Sequence, residues 1–475
     1  MRQIVAALDL GTSKSIAFVA RKDYLDKLSV LRTESLPSKN AIRRGRVYNS
    51  DETSEIISKL IGKLNSSPDL QVEKIYVGIG GQSLHTRLFN PKKVIENGIV
   101  SPELLDSFKK EALHYKPELD ENFGVVSCEY YADGQLVLKP KGTVASVIEA
   151  RFLLMVGNPC LKRNLEKLFK EKGISVAGYF ISPLATAEAA LTPKEKELGC
   201  ALVEFGEGVT YVSVYKNDAL KHLVTLPLGG LAITKDIRSL NVLEDEAEAL
   251  KIKYGKAVLD PNDKGAVSVN EEQTSSRRIE LNELNGIIEA RVDEIVKNVW
   301  NQIQMSGYSQ ALDAGIVITG GGALLRDLPQ FIRNQTGKEV RLASAKVWDN
   351  QVETQLSPAH SCVVGLAILG KDNCGKEEVK EVKDKTKIPP SKPGKQPKYE
   401  PETTQDETTD IPTDTQQGGI LGMFRKVVNK GKKIVDTGME DLFDNYDSGS
   451  TQSDDKDAAV IQHKDKNFDN NKNRQ

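Results

Sequence analysis

Two β-hairpins with the same kind of turn, far apart in the chain, constrain its fold more than any other feature. Buried strands at 4–8 and 200–203 each lead into a turn and then into a returning strand, at 15–19 and 211–215 respectively. Each turn combines glycine, hydroxyl and carboxylate residues. The first contains Asp9, Gly11, Thr12, Ser13 and Lys14, and the second contains Glu204, Gly206, Glu207, Gly208 and Thr210. The repetition predicts two related halves whose turns face a common cleft.

Both turns have the chemistry of a phosphate-binding site. Glycine lets the backbone approach an anion closely, hydroxyls and successive N–H groups donate to phosphate oxygens, and a carboxylate holds Mg²⁺ through water. We therefore predict that the two turns hold a polyphosphate from opposite sides and that Asp9 orients Mg²⁺ through water. Either turn alone would more often be an ordinary hairpin end, so the prediction depends on the pair.

A third glycine-rich segment follows another buried strand, at 315–319. It consists of Gly320, Gly321 and Gly322, and an apolar, arginine-containing stretch comes after it. Three glycines leave space for a flat ligand against bare backbone, although a tight strand-to-helix turn would have the same composition. A similar strand-and-glycine segment at 75–82 again indicates duplication.

Taken together, these segments resemble the actin-like ATPase superfamily and, more specifically, the FtsA family of bacterial cell-division proteins. The further segments that carry the resemblance are 77–83, 184–192, 197–199, 228–237, 247–251 and 254–255. The resemblance implies an α/β chain with a duplicated actin-like (ribonuclease H-like) fold and an inserted FtsA-type α+β subdomain. It also implies ATP and Mg²⁺ as cofactors, with Glu248 and Lys251 contacting the ribose and adenine near the 320–322 turn.

The resemblance and the shifts in composition together predict how the chain divides. The expected segments are the first actin-like domain at 1–83, 157–198 and 345–370, the inserted FtsA-specific subdomain at 84–156, the second actin-like domain at 199–344, a disordered linker at 371–417, a membrane-targeting amphipathic helix at 418–443 and a disordered tail at 444–475. The linker is predicted because a polar segment with almost no large apolar residues cannot bury enough surface to fold.

Local patterns predict regular elements within two of these domains. In the inserted subdomain we expect a helix at 102–115, a hairpin turn at Asp133 and Gly134, and an apolar strand at 150–156. In the second domain, apolar residues recur at helical spacing over 281–305. This spacing predicts one long helix with a buried face.

Hydrophobic residues return for one short stretch after the linker. The apolar residues of this stretch are Ile420, Leu421, Phe424, Val427, Val428 and Ile434, and the basic ones are Arg425, Lys426, Lys430, Lys432 and Lys433. Their separation is typical of an amphipathic helix that lies in the headgroup region of an anionic membrane. A helix that packs in a groove of a partner protein is the alternative. An acidic, Asn-rich extension begins at Asp436, within the predicted helix, where Met439, Leu442 and Phe443 would prolong the apolar face. The extension, which runs to 475, has no assigned role.

The resemblance implies a peripheral protein at the cytoplasmic face of the cell membrane, at the division septum. Such a protein would bind ATP, polymerise, and tether FtsZ filaments to the membrane during septum formation. Its implied partners are the C-terminal peptide of FtsZ, received around Arg291, further copies of this chain, the anionic membrane surface and later division proteins. A small-molecule kinase or a pilus-assembly ATPase of the same fold is the alternative, but neither would need the basic helix.

Three residues depart from the patterns of the related families. Glu204 stands where an aspartate is usual, Glu207 stands where a glycine usually meets phosphate, and Ser182 replaces the glutamate of the Glu-Pro pair found in heat-shock chaperones. The first two changes alter the site for Mg²⁺ and place a negative charge beside phosphate. We therefore expect at most a slow ATPase.

The composition agrees with a large protein of more than one domain. The chain has 475 residues, of which 39% are hydrophobic, and a formal net charge of −2. That charge exerts no global attraction on nucleic acid, so no nucleic-acid partner is expected. The five cysteines show no Cys-x-x-Cys spacing and are expected to be reduced thiols.

Overall fold

The computed structural model describes residues 3–377, apart from 39, 261, 263, 270–276 and 350–351. Residues 378–475 therefore lie outside the described residues. They include most of the predicted linker, the whole predicted membrane-targeting segment and the tail.

The helices agree closely with the predictions where these were made. The helices among the described residues are α1 (Ser50–Leu64), α2 (Pro102–His114), α3 (Cys160–Glu171), α4 (Ser182–Ala190), α5 (Pro193–Leu198), α6 (Gly230–Ile237), α7 (Glu244–Tyr254), α8 (Leu281–Met305), α9 (Leu328–Thr336) and α10 (Ser361–Leu369). The long helix α8 has the predicted bounds, and its apolar stripe is buried. Helix α2 begins at Pro102, after the N-cap Ser101, as its sequence favours. None of these helices is both long enough and apolar enough to cross a bilayer.

The strands include both predicted hairpins. The strands are β1 (Gln3–Leu10), β2 (Lys14–Lys22), β3 (Leu28–Pro37), β4 (Ile42–Arg43), β5 (Arg46–Val47), β6 (Leu70–Val72), β7 (Lys74–Ile79), β8 (His85–Phe89), β9 (Lys92–Val94), β10 (Glu121–Ala132), β11 (Gln135–Val137), β12 (Val147–Gly157), β13 (Ser175–Ile181), β14 (Cys200–Phe205), β15 (Thr210–Lys216), β16 (Ala219–Leu226), β17 (Ala266–Val269), β18 (Arg277–Glu280), β19 (Ile316–Thr319), β20 (Val340–Leu342), β21 (Lys346–Asp349), β22 (Val352–Gln355) and β23 (Gly375–Glu377).

The two main sheets repeat one arrangement, which confirms the predicted duplication. The first has the order β13-β7-β1-β2-β3-β21-β22, and the second has the order β11-β10-β12-β8-β16-β15-β14-β19-β20. In each half the first strand of the hairpin pairs antiparallel with the second strand and parallel with a later strand, β7 for β1 and β19 for β14. In each sheet the carboxyl ends of the two parallel strands lie at the same edge, and the turn of that sheet's hairpin emerges there.

The inserted unit, β8 to β12 with α2, has a small core of its own. Phe108 from α2 and Phe152 from β12 are fully buried in it, and the predicted Asp133-Gly134 turn joins β10 to β11. Its sheet continues into the second half through a bridge between His85 of β8 and Val224 of β16. The sequence patterns did not predict this link.

Two buried helices, α4 and α10, pack against each other beneath the cleft. Helix α10 is apolar and buried around almost its whole circumference, which is typical of a helix enclosed by the protein core. A Cβ atom on Gly365 would overlap the carbonyl of Ala185, so the backbones of α4 and α10 are in direct contact. This packing positions Ser182, at the start of α4, and Cys362, at the start of α10, on the floor of the cleft.

Candidate functional site

A cavity of about 460 Å³ lies between the turns of the two hairpins. Sites for small molecules and cofactors commonly have volumes of about 300–1,000 Å³. The predicted nucleotide-binding residues that line this cavity are Asp9, Gly11, Thr12, Ser13, Lys14, Gly206, Gly208, Glu248, Lys251, Gly320, Gly321 and Gly322. The fold therefore brings residues from both halves of the chain to one site.

Thr210 is the member of the predicted set that does not reach this cavity. It is fully buried at the start of β15, and its hydroxyl donates to the carbonyl oxygen of Leu228 at 2.8 Å. The hydroxyl thus joins the second hairpin to the chain that leads into α6. The structure does not bring Thr210 to the predicted phosphate site.

The two turns have matching backbone geometry. A Cβ atom on Gly11 would lie 2.7 Å from the carbonyl oxygen of Lys14, and one on Gly206 would lie 2.8 Å from the carbonyl oxygen of Val209. Glycine is therefore required at the same place in each turn. The turns also meet, because a Cβ atom on Gly208 would lie 2.6 Å from the hydroxyl of Thr12.

Carboxyl groups from both hairpins face each other on the cavity floor. Burial and the neighbouring Asp9 raise the pKa of Glu204 to about 8, and burial also raises the pKa of Asp9. The Oε2 atom of Glu204 is buried and has no hydrogen-bond partner among the described residues. Two carboxyl groups in contact with the cavity, one with an unpartnered oxygen, fit a hydrated Mg²⁺ ion, which prefers oxygen ligands. The described residues contain no denser cluster of metal-ligating side chains.

A hydrogen-bonded network joins α6 to α7 at the side of the cavity. The ammonium of Lys251 donates to Glu248 Oε2 at 2.6 Å, to Thr234 Oγ1 at 2.8 Å and to the carbonyl oxygen of Gly230 at 3.0 Å. The Thr234 hydroxyl also donates to the same Glu248 oxygen. The predicted helix-face pair is therefore present, and Thr234 is a member that the sequence reasoning did not single out.

Glu207 lies in the second turn, beside this network. Its side chain is half-buried, and burial together with the carboxylate of Glu248 raises its pKa. Its backbone carbonyl accepts from the N–H of Leu231 at 2.9 Å, so the turn is held against the first residues of α6. Glu207 consequently brings a carboxyl group to the cavity wall.

The 320–322 turn forms another part of the cavity wall. Gly320 has a φ of +88°, and a side chain on it would overlap the carbonyl of Phe205. Gly321 is different, because the one atom that a Cβ there would meet within 4 Å is the Cβ of Ala359, at 3.9 Å. The wall continues with the apolar side chains of Leu324 and Ile252, which the sequence reasoning missed.

Arg291, the predicted partner-binding residue, lies on α8 and is not among the residues that line this cavity. Its guanidinium donates to both carboxylate oxygens of Asp236, at 2.5 and 3.0 Å, and also to Glu294. The hydrogen bonds to Asp236, which are the largest cause, raise the pKa of Arg291 above the ordinary value of an arginine. The guanidinium is therefore occupied within the chain, and it ties α8 to α6.

Comparison with known proteins identifies relatives over most of the chain. The family model of the cell division protein FtsA matches residues 201–365. The cell division protein FtsA of Porphyromonas gingivalis is 30% identical over 406 residues, which are 82% of this chain and 84% of that protein. The cell division protein FtsA of Neisseria meningitidis is 30% identical over 376 residues, which are 77% of this chain and 89% of that protein.

Solved structures are similar in fold. A chain of the PilM-PilN type IV pilus biogenesis complex has a TM-score of 0.50 and 15% identity, over 77% of this chain and 97% of that chain. At this identity the likeness shows the fold alone. The predicted actin-like fold is confirmed by this likeness and by the two repeated sheets.

Proposed function

This chain belongs to the FtsA family of cell-division proteins, and we propose that it binds ATP, polymerises at the inner face of the cytoplasmic membrane and tethers FtsZ filaments there during septum formation. The observation that carries the proposal is the meeting of the two hairpin turns at Thr12 and Gly208, over a cavity of nucleotide size. The relatives named as cell division proteins support the role in division.

The proposed nucleotide site assigns a role to each wall of the cavity. The phosphates would lie between the turns at 11–14 and 206–208, where backbone N–H groups and the ammonium of Lys14 donate to anions. Asp9 and Glu204 would hold Mg²⁺ through its water ligands, and the ion would neutralise phosphate charge. Glu248 and Lys251 would contact the ribose and adenine, beside the 320–322 turn.

The same site favours a ligand that is held rather than rapidly hydrolysed. Glu204 is longer than the aspartate usual in the family, and Glu207 adds a carboxyl group beside the place proposed for phosphate. Both features oppose the alignment of Mg²⁺ and phosphate that fast turnover needs. We therefore propose that ATP acts as an assembly ligand for filaments.

Membrane attachment and FtsZ binding are assigned to other parts of the chain. The apolar and basic residues at 420–434 would anchor the protein to anionic lipid. Each anchor would bind reversibly, and a polymer carrying many anchors would bind far more tightly. The lobe around Arg291 would receive the C-terminal peptide of FtsZ, through neighbours of that residue because its guanidinium is already paired.

Co-sedimentation with liposomes tests the proposal as a whole. FtsZ should sediment with anionic liposomes when this protein and Mg-ATP are both present, and much less when either is omitted. Phe424→Glu, which puts a charge on the apolar face, should abolish sedimentation of both proteins, whereas Phe424→Leu should preserve it. Equal FtsZ sedimentation with and without this protein would contradict the tethering role.

A further inference from the structure

A second cavity, of about 340 Å³, lies between the inserted unit and the second half of the chain. It is bounded by α2, by β10, by β11 with the connection after it, and by the turn between β15 and β16. Leu105 and Val137 contribute to its lining. Leu136 and Leu138, also in the lining, have 53% and 64% of their surface exposed. Exposed apolar side chains grouped around a cavity are a feature of interaction sites.

The charged residues of this cavity are mostly basic. Its lining contains Lys109, Lys141 and Lys221 but only two acidic side chains, Asp106 and Glu129. Lys221 pairs with Glu129 at 2.5 Å, and Lys109 lies 3.6 Å from Asp106. Lys141 is exposed, and the charged group that interacts with it electrostatically is the exposed carboxylate of Glu103 on α2, which lies outside the lining. The lining therefore has one more positive than negative side chain, which would attract an acidic segment.

One wall also contains a buried tyrosine hydroxyl. The hydroxyl of Tyr130 is buried and has no hydrogen-bond partner among the described residues. The thiol of Cys128 lies nearby, but a thiol is a weak hydrogen-bonding group. Because this hydroxyl is buried within the fold itself, a docked segment would not reach it, and the exposed leucines and the charge of the lining carry the choice of occupant.

The chain itself contains a segment with the matching chemistry, after the basic residues at 425–433 and overlapping the end of the predicted membrane-targeting helix at 418–443. Its apolar residues recur at the spacing i, i+3, i+4 and i+7, and they are Met439, Leu442, Phe443 and Tyr446. Its charged residues are Asp436, Glu440, Asp441, Asp444 and Asp447, with no lysine or arginine among them. This pattern is typical of an acidic amphipathic helix.

We propose that the acidic segment 436–447 docks in the second cavity of its own chain. Its apolar face would cover Leu136 and Leu138, and its carboxylates would face Lys141 and Lys109. The occupant is chosen by charge, since the cavity is basic and apolar while the segment is acidic and apolar. The basic segment at 420–434 has the wrong charge for this cavity.

The length of chain between the fold and this segment permits the docking. About 60 residues separate Glu377 from Met439, and a fully extended chain of that length spans roughly 200 Å. A compact fold of this size has a radius of gyration of roughly 21 Å. Docking would also draw residues 420–434 toward the protein. Binding to the cavity and binding to a membrane would therefore compete with each other.

Photocrosslinking of the full-length protein tests the docking directly. Benzoylphenylalanine in place of Phe443 should crosslink, within one chain, to residues 102–109 or 136–141. Mixing chains of two isotopic compositions distinguishes crosslinks within a chain from those between copies. Crosslinks that fall mainly between chains, or mainly on residues 420–434, would overturn the proposal.

Charge and surface variants complete the test. Lys141→Glu should lower the yield of these crosslinks at least threefold, and Leu138→Asp should do the same. Both residues are exposed, so neither change is expected to unfold the protein. Lys194→Glu is the matched control, because Lys194 is likewise exposed and is not part of the lining. A yield unchanged by Lys141→Glu and Leu138→Asp, or lowered equally by Lys194→Glu, would contradict the proposal.

Discussion

The hydroxyl of Thr12 lies 2.6 Å from the position that a Cβ atom would occupy on Gly208. Thr12 belongs to the first hairpin and Gly208 to the second, so the two halves of the chain touch at this point. The Thr12 hydroxyl also accepts from the backbone N–H of Gly45 at 3.1 Å, which limits its freedom to move away. The absence of a side chain at 208 therefore determines how closely the two turns approach.

Gly208→Ala should separate the turns and weaken ATP binding. The added methyl group would contact Thr12 and also the backbone of Arg44, at 3.1 Å, so both the turn and its neighbour must shift. We expect the dissociation constant for Mg-ATP to rise at least tenfold, which corresponds to about 1.4 kcal/mol. Calorimetric titration measures it. Gly62→Ala, at an open and exposed position of α1, should leave the affinity unchanged.

Glu207→Gln should have the opposite effect on ATP. The substitution keeps the shape of the side chain but removes a carboxyl group from the cavity wall, beside Glu248. Because this group would repel phosphate, its removal should tighten Mg-ATP binding several-fold. Glu244→Gln, at an exposed residue that pairs with Arg238 at 3.3 Å, is the control. Equal or weaker binding by the Glu207 variant would mean that its side chain does not face phosphate.

The helices and strands were predictable because the spacing of apolar residues along the chain indicates which side of an element is buried. The hairpins β1-β2 and β14-β15 and the helix α8 lie where the apolar spacing indicated. Contacts between elements were less predictable. Thr210 faces Leu228 rather than the cavity, and the Arg291–Asp236 pair joins helices whose packing no local pattern reports.

The candidate site was predictable for a similar reason, and only in part. The same combination of glycines and hydroxyls occurs in two turns, and this repetition predicted that both turns would reach one cavity. Leu324 and Ile252 carry no such signal, because an apolar residue in a turn or helix is more often part of a core. The bridge between His85 and Val224, which joins the inserted unit to the second sheet, depends on strand pairing far apart in sequence.

Glu204 should make the stability of the ligand-free protein depend on pH. Its pKa is about 8 in the fold against an ordinary value of 4.5, so the folded chain binds more protons than the unfolded chain between these values. The free energy of unfolding should therefore fall as the pH rises from about 5 through about 8. Asp9, whose pKa is also raised, contributes in the same direction.

Urea denaturation without nucleotide or divalent cation, at about pH 5.5 and about pH 8.5, measures this dependence. Glu204→Gln should reduce the loss of stability between the two pH values, because the amide does not titrate. Glu171→Gln, at an exposed residue of α3, should keep the loss seen in the unaltered protein. A Glu204→Gln variant with an undiminished loss would contradict the raised pKa.

Calorimetric titration of Mg-ATP into the Lys14→Ala and Gly321→Glu variants tests the site between the hairpins most directly. Lys14→Ala removes an ammonium from the first turn, and such charged contacts are worth a few kcal/mol. Gly321→Glu directs a carboxylate into open space in the cavity, whereas Gly62→Glu places the same group on exposed α1 as a control. We predict that both cavity variants lose at least tenfold in affinity and that Gly62→Glu binds like the unaltered protein. Unchanged affinity in both cavity variants would show that ATP does not bind between the hairpins.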